Sequence, residues 1–153
     1  QKIYDWLELN YIIMINLSPF HIAIPVNNFD RCRTFYSNIL ELDEGRSSEN
    51  WVDFNFFGHQ LVIHFDKNQT ISKKSNPVDR KDVPVPHFGV ILNWDDFNTF
   101  SKVLKKKNIE FIIEPYIRFK GLVGEQATMF FKDPSGNALE FKSFKDSKHI
   151  FAK

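Results

Sequence analysis

From Pro19 to Val26 the chain reads Pro-Phe-His-Ile-Ala-Ile-Pro-Val, a mostly apolar run followed by Asn27, Asn28 and Asp30. That pattern predicts a short strand leading into a helix, with those three side chains available as caps. From Asp30 to Leu40 the apolar positions Cys32, Phe35, Tyr36, Ile39 and Leu40 recur every three or four residues, which makes one buried helical stripe. Strand patterns follow at 42–46, 51–57 and 60–65, the last two joined by a tight turn at Gly58-His59. The order is β-α-β-β-β. Residues 66–86 are polar, hold three prolines and have little periodicity, so they read as a linker.

The same order then returns. Pro86 to Leu92 predicts a single strand, Asn93 and Asp95 offer caps, and Phe97, Phe100, Val103 and Leu104 form a helical stripe. Strands are expected at 111–116, 127–132 and 138–144, with Asp133-Pro134-Ser135-Gly136 turning between the last two. Placing His21 on His87 also places Asn27 on Asn93 and Asp30 on Asp96, so two copies of one module are implied. The expected fold is α+β, a single domain over residues 14–146 made of βαβββ modules at 18–66 and 84–144. Residues 1–13, ahead of Met14, read as a leader or an appended stub, and 147–153 as a frayed tail that includes His149.

Composition narrows the function. Twenty basic against nineteen acidic residues leave a formal charge of +1, which provides no field for nucleic acid or an anionic membrane. No stretch reaches the roughly 20 apolar residues that span a bilayer. The single cysteine, Cys32, permits no disulfide framework and suits a reducing compartment, so the cytoplasm is expected. It lies on a helical stripe and reads as inert core. Seventeen phenylalanines suit a sheet-rich core and an apolar pocket.

His21 and His87 occupy matching positions on the first strand of each module, and Glu140 faces inward on the last strand of the second. Two neutral imidazoles and a carboxylate on rigid strands match the facial triad that holds Fe(II) or a similar divalent ion while leaving positions open. A lone strand histidine can equally be a hydrogen-bonded core residue; the repeat is what favours the metal. In the segment from Phe119 to Gln126, two glycines could let the chain fold over the pocket as a lid. Glu125 and Gln126 could orient a ligand, and Tyr116 and Arg118 could offer a phenol and a cation to an anionic substrate.

Residues 18–144 resemble the vicinal oxygen chelate superfamily of glyoxalases, extradiol dioxygenases, bleomycin-resistance proteins and fosfomycin-modifying transferases. The resemblance rests on Pro19 to Val26, Phe35 to Leu40, Pro86 to Val90 and, most specifically, Phe130 to Phe141 with its Asp-Pro-Ser-Gly-Asn-Ala-Leu-Glu core. It implies modules paired into a cupped mixed sheet around a divalent metal, with His21, His87 and Glu140 as ligands. Fe(II) is favoured, with Mn, Ni, Co or Zn as alternatives. The modules can pair within one chain or by exchange in a homodimer. The repeat partner of Glu140 is Val62, so the further carboxylate or amide ligand of the glyoxalase pattern is missing; His64, two residues on and on the same face, could reach the metal, hydrogen-bond the substrate or move a proton. The expected activity is therefore metal-dependent and extradiol-dioxygenase-like on a small oxygenated substrate, with catalytic candidates His64, Glu125 and Tyr116. The alternatives are a glyoxalase-like isomerase or lyase, a thiol transferase, or a metal-free resistance protein that binds a small molecule.

Overall fold

The structure is a computed structural model and describes residues 18–152. The leader expected at 1–13 lies outside them. The first module begins with β1 (His21–Val26), then α1 (Phe29–Thr34), which runs on into a wide π turn at Phe35–Ile39. Three strands complete it: β2 (Glu44–Ser47), β3 (Trp51–Phe56) and β4 (His59–Phe65). Its sheet has the order β1-β4-β3-β2, with β1 parallel to β4. The second module holds β7 (His87–Phe88), β8 (Ile91–Leu92), α2 (Trp94–Lys106), β9 (Phe111–Arg118), β10 (Gln126–Lys132) and β11 (Ala138–Phe144). Here β11 lies between β10 and the pair β7 and β8. His21 pairs with Gln60 as His87 pairs with Ala138, so the duplication extends to strand register and Val62 is the equivalent of Glu140.

The fold is the expected α+β arrangement, with four local differences. The strand expected over Pro86 to Leu92 is broken in two at Gly89. A Cβ there would lie 1.6 Å from the backbone oxygen of Glu140, so only a glycine lets the chain pass this close to β11. The linker contains a hairpin, β5 (Ser75–Val78) and β6 (Lys81–Pro84), turning through Asp79 and Arg80 at positive φ. Asn93 caps α2 by accepting from the Asp96 amide, whereas Asn28 makes no side-chain cap on α1. The amides of Asn27 and Asn28 donate instead to Ser135 Oγ of the other module, at 3.1 and 3.0 Å. His149 sits in a short 3₁₀ turn (Ser147–His149), where its Nδ1 accepts from the Gly124 amide.

Alternation decides which faces meet. Ile24 and Val26 on β1, Val52, Phe54 and Phe56 on β3, and Leu61 and Ile63 on β4 point to one side and are buried. Met129, Phe131, Leu139 and Phe141 do the same in the second module, and all of them join Phe35, Tyr36, Phe97 and Leu104 in a single core. Phe56 packs on Phe88 and Phe141 across the module boundary. A buried clasp closes that boundary: Tyr36 Oη donates to Asp133 Oδ2 at 2.9 Å, and the Ser135 and Asn137 amides donate to Asp133 Oδ1. Cys32 is buried beside Ser135, and burial pushes its thiol up to about 11, as suits an inert core position.

Candidate metal centre

Because the apolar faces are spent on the shared core, the polar face of each sheet turns away from it. The first carries His21 on β1 and Gln60, Val62 and His64 on β4, with Asp53 opposite Val62 on β3. The second carries His87 on β7, Glu140 and Lys142 on β11, Thr128 and Phe130 on β10, and Tyr116 and Arg118 on β9.

His87 and Glu140 are brought together, with Nε2 3.1 Å from Oε2. Nδ1 lies 2.7 Å from the carbonyl oxygen of Pro84, which can only accept, so the ring carries its proton there. A neutral His87 therefore aims the Nε2 lone pair at a carboxylate oxygen. That contact needs a proton or a cation between the two atoms. In this structure His87 is raised above the usual histidine range, first by its hydrogen bond to Glu140, with burial opposing. For Glu140, burial pushes upward but is outweighed by the hydrogen bonds from His87 and Thr128 and the charge of Lys142, which hold the carboxyl low. Its Oε1 accepts from Thr128 Oγ1 at 2.7 Å and faces Lys142 Nζ at 3.2 Å.

His21 is prepared in the same way. Its Nδ1 lies 2.7 Å from Gln60 Oε1, and Gln60 Nε2 donates to Asp53 Oδ2 at 3.2 Å. Asp53 is buried and 3.5 Å from Arg46 Nε. The carboxylate orients the amide, the amide oxygen fixes the proton on Nδ1, and Nε2 is left exposed with a free lone pair. Both histidines thus have an oxygen acceptor behind Nδ1 and present Nε2 forward, the usual dressing of a metal-ligating imidazole.

The donors fit a divalent ion. Two ligand atoms each about 2.1 Å from one ion and at right angles to each other stand about 3 Å apart, close to the observed His87–Glu140 separation. What one chain does not do is gather the triad. Among the described residues no three His, Cys, Asp or Glu side chains are grouped to hold a metal. Of the two pairings left open by the sequence, within one chain or between two, the arrangement seen in one chain packs the apolar faces together and leaves His21 and the His87–Glu140 pair on separate sheets.

The remaining candidates are scattered. His64 is exposed on β4, opposite Trp51 and Pro25. Tyr116 stands opposite Thr128, half-buried, with the Lys81 ammonium 4.8 Å from its ring centre. Its phenol is raised, chiefly by burial. Glu125 is occupied in its own loop, where Oε2 accepts from the Gly121 amide at 2.8 Å.

These features invite comparison with known proteins. The family described as the glyoxalase/bleomycin resistance protein/dioxygenase superfamily matches residues 18–141. The chain belongs to this superfamily. A glyoxalase/bleomycin resistance protein/dioxygenase from Alicyclobacillus acidocaldarius is 31% identical, with a TM-score of 0.72 over 88% of this chain and 96% of that one. At 13% identity, the lactoylglutathione lyase of Agrobacterium tumefaciens shares the fold, with a TM-score of 0.60 over 91% and 99% of the two chains. So does the fosfomycin resistance protein FosX from Listeria monocytogenes, at 14% identity, TM-score 0.61 and coverage of 88% and 96%. None of the curated proteins matches the sequence. No described helix of this superfamily member is long and apolar enough to cross a membrane.

Several residues around the centre escaped sequence reasoning: Gln60, Thr128, Lys142 and Gly89. Gln60 and Thr128 were within reach, because strand alternation puts them on the faces of His21 and Glu140. Gly89 sits two residues after His87, where an isolated strand glycine signals close backbone approach.

Proposed function

We propose that this superfamily member is a metal-dependent enzyme that works as a homodimer, with His21 of one copy meeting His87 and Glu140 of the other around a divalent ion. The carrying observation is the shared preparation of both histidines, each with Nδ1 tied to an oxygen and Nε2 turned out, on faces that a two-fold axis can bring together. Three protein ligands leave positions for two neighbouring oxygens of a small substrate, and Val62 supplies no fourth. The ion, when bound, supplies Lewis acidity and, as Fe(II), access to oxygen chemistry; we favour iron and an extradiol-dioxygenase-like oxidation.

The chain's own residues do the rest. Gln60 and Pro84 hold the two rings in one tautomer. Thr128 keeps Glu140 in line and, with Lys142, satisfies its second oxygen. Phe130, edge-on to the His87 ring at 5.2 Å between centres, blocks water from one side. His64, on the polar face of the first sheet, is the group suited to take or return a substrate proton near neutral pH. Tyr116 stays protonated and can donate to substrate. Glu125 shapes the 119–125 loop.

The test is elemental analysis of protein purified without chelator, followed by loading with iron or zinc and assay of catechol and of the methylglyoxal–thiol adduct, in air and without oxygen. We expect about one metal per chain and oxygen-dependent product with iron only. Equal turnover with zinc and without oxygen would replace the dioxygenase by an isomerase or lyase, the activity named for the A. tumefaciens neighbour. Absence of any metal effect would make it a binding protein.

A further inference from the structure

The hairpin of β5 and β6 is docked onto the polar face of the second sheet. The Asp79 carboxylate forms an ion pair with Arg118 Nε, and Lys81 lies over the Tyr116 ring. Arg118 is four-fifths buried, with a side-chain exposure of 19%. Burying a guanidinium is costly unless an anion meets it, and here the anion comes from a turn whose two central residues, Asp79 and Arg80, both sit at positive φ. Tyr116 and Arg118 lie on β9, two strands from β11; Tyr116 is level with Lys142 and Arg118 with Phe144, so the Arg118 backbone is about 10 Å across the sheet and about 13 Å along it from that of Glu140. A small molecule held at Glu140 by vicinal oxygens would extend over Thr128 and Tyr116 toward Arg118. Lys81 and Lys142 add positive charge along that path; Glu140 and Asp79 are the acids on it.

We propose that Arg118 fixes a carboxylate on the far end of the substrate, and that Asp79 occupies this anion position until the substrate displaces it and the hairpin lifts. Asp79 presents the chemistry to be matched: a planar carboxylate, which a guanidinium receives through two parallel donors. The placement of the metal end rests on the function proposed above; the anion exchange at Arg118 does not.

Benzoate separates the two, since it has the carboxylate and no vicinal oxygens. Titrated into chelator-treated protein and followed by amide NMR, it should shift the amides of the non-proline residues between 75 and 83 and of Arg118. Asp79→Asn should tighten benzoate about tenfold, and Arg118→Gln should abolish the response while leaving the rest of the spectrum folded. A second pair of probes, 3,4-dihydroxybenzoate and catechol, is compared on iron-loaded dimer. We expect the carboxylated member to bind at least tenfold tighter in wild type and no better than catechol in Arg118→Gln, at equal iron content. Benzoate binding that ignores both substitutions would overturn the proposal. So would a dihydroxybenzoate preference that survives in Arg118→Gln. A benzoate response that behaves as expected in protein unable to hold iron would support the proposal and sink the metal reading instead.

Discussion

Gly89 shows how much the centre depends on backbone. Its neighbour across the strand gap is the main chain of Glu140, and any side chain at 89 must push β7 and β11 apart. We expect Gly89→Ala to lower the melting temperature by several degrees and to lower metal affinity, read by thermal unfolding and metal titration. Thr128→Val tests a smaller effect, since it keeps shape and removes only the hydroxyl that donates to Glu140. Loss of such an outer contact typically costs 10- to 100-fold in metal affinity, so a drop of about tenfold with unchanged melting of the apo protein is expected. For His64→Ala, turnover should fall more than metal content, and the pH-rate profile should lose one limb; an unchanged profile would remove His64 from the mechanism.

At the scale of elements, the decisive piece is the turn from Asp133 to Asn137. Asp133 is 4% exposed, yet its carboxylate takes donors from Tyr36, Ser135 and Asn137 and so joins the π turn after α1 to the turn between β10 and β11. Asp133→Ala leaves these donors buried without an acceptor and should cost about 3 kcal/mol in denaturant unfolding. Burial raises the Asp133 carboxyl above its ordinary value, against the hydrogen bonds that lower it. The folded state therefore binds this proton more tightly than the unfolded chain does. Its contribution to stability is largest below the unfolded value, near 4, and declines as pH rises from there through the folded value. Asp133→Asn, which cannot titrate, should flatten that part of the stability-against-pH curve; a curve identical to wild type would refute the assignment.

The element order, both helical stripes and the register of the repeat were legible in the sequence, because strand and helix periods report directly on burial. The hairpin was not: Ser75–Val78 and Lys81–Pro84 are nearly all polar or proline, and they are ordered by docking on Arg118 and Tyr116, not by any apolar pattern of their own. The break at Gly89 was signalled only by the glycine itself, since what demands it is the main chain of a residue 51 positions later. The strand positions of His21, His87 and Glu140 could be read from the repeat. Which sheet faces meet could not, because alternation defines two faces and only the packing of Phe56 on Phe141 decides which is spent inside the chain.

For the whole molecule, the outward faces make exchange between copies testable. Sedimentation should give a dimer, and His21→Ala and Glu140→Ala should each be inactive alone. Mixed and allowed to re-pair, they should regain about a quarter of wild-type sites, because half the dimers are mixed and each mixed dimer holds one intact set of ligands. A site closed within one chain would regain none. The trans-capping of α1 by Ser135 bears on what happens if the polypeptide itself is divided. Cut between residues 66 and 74, the first fragment would have a helix whose opening amides lack an acceptor, and the second a turn whose carboxylate lacks the Tyr36 phenol. Each should stay unfolded alone and gain structure on mixing, so the duplicated halves would behave as a split reporter whose signal depends on their meeting.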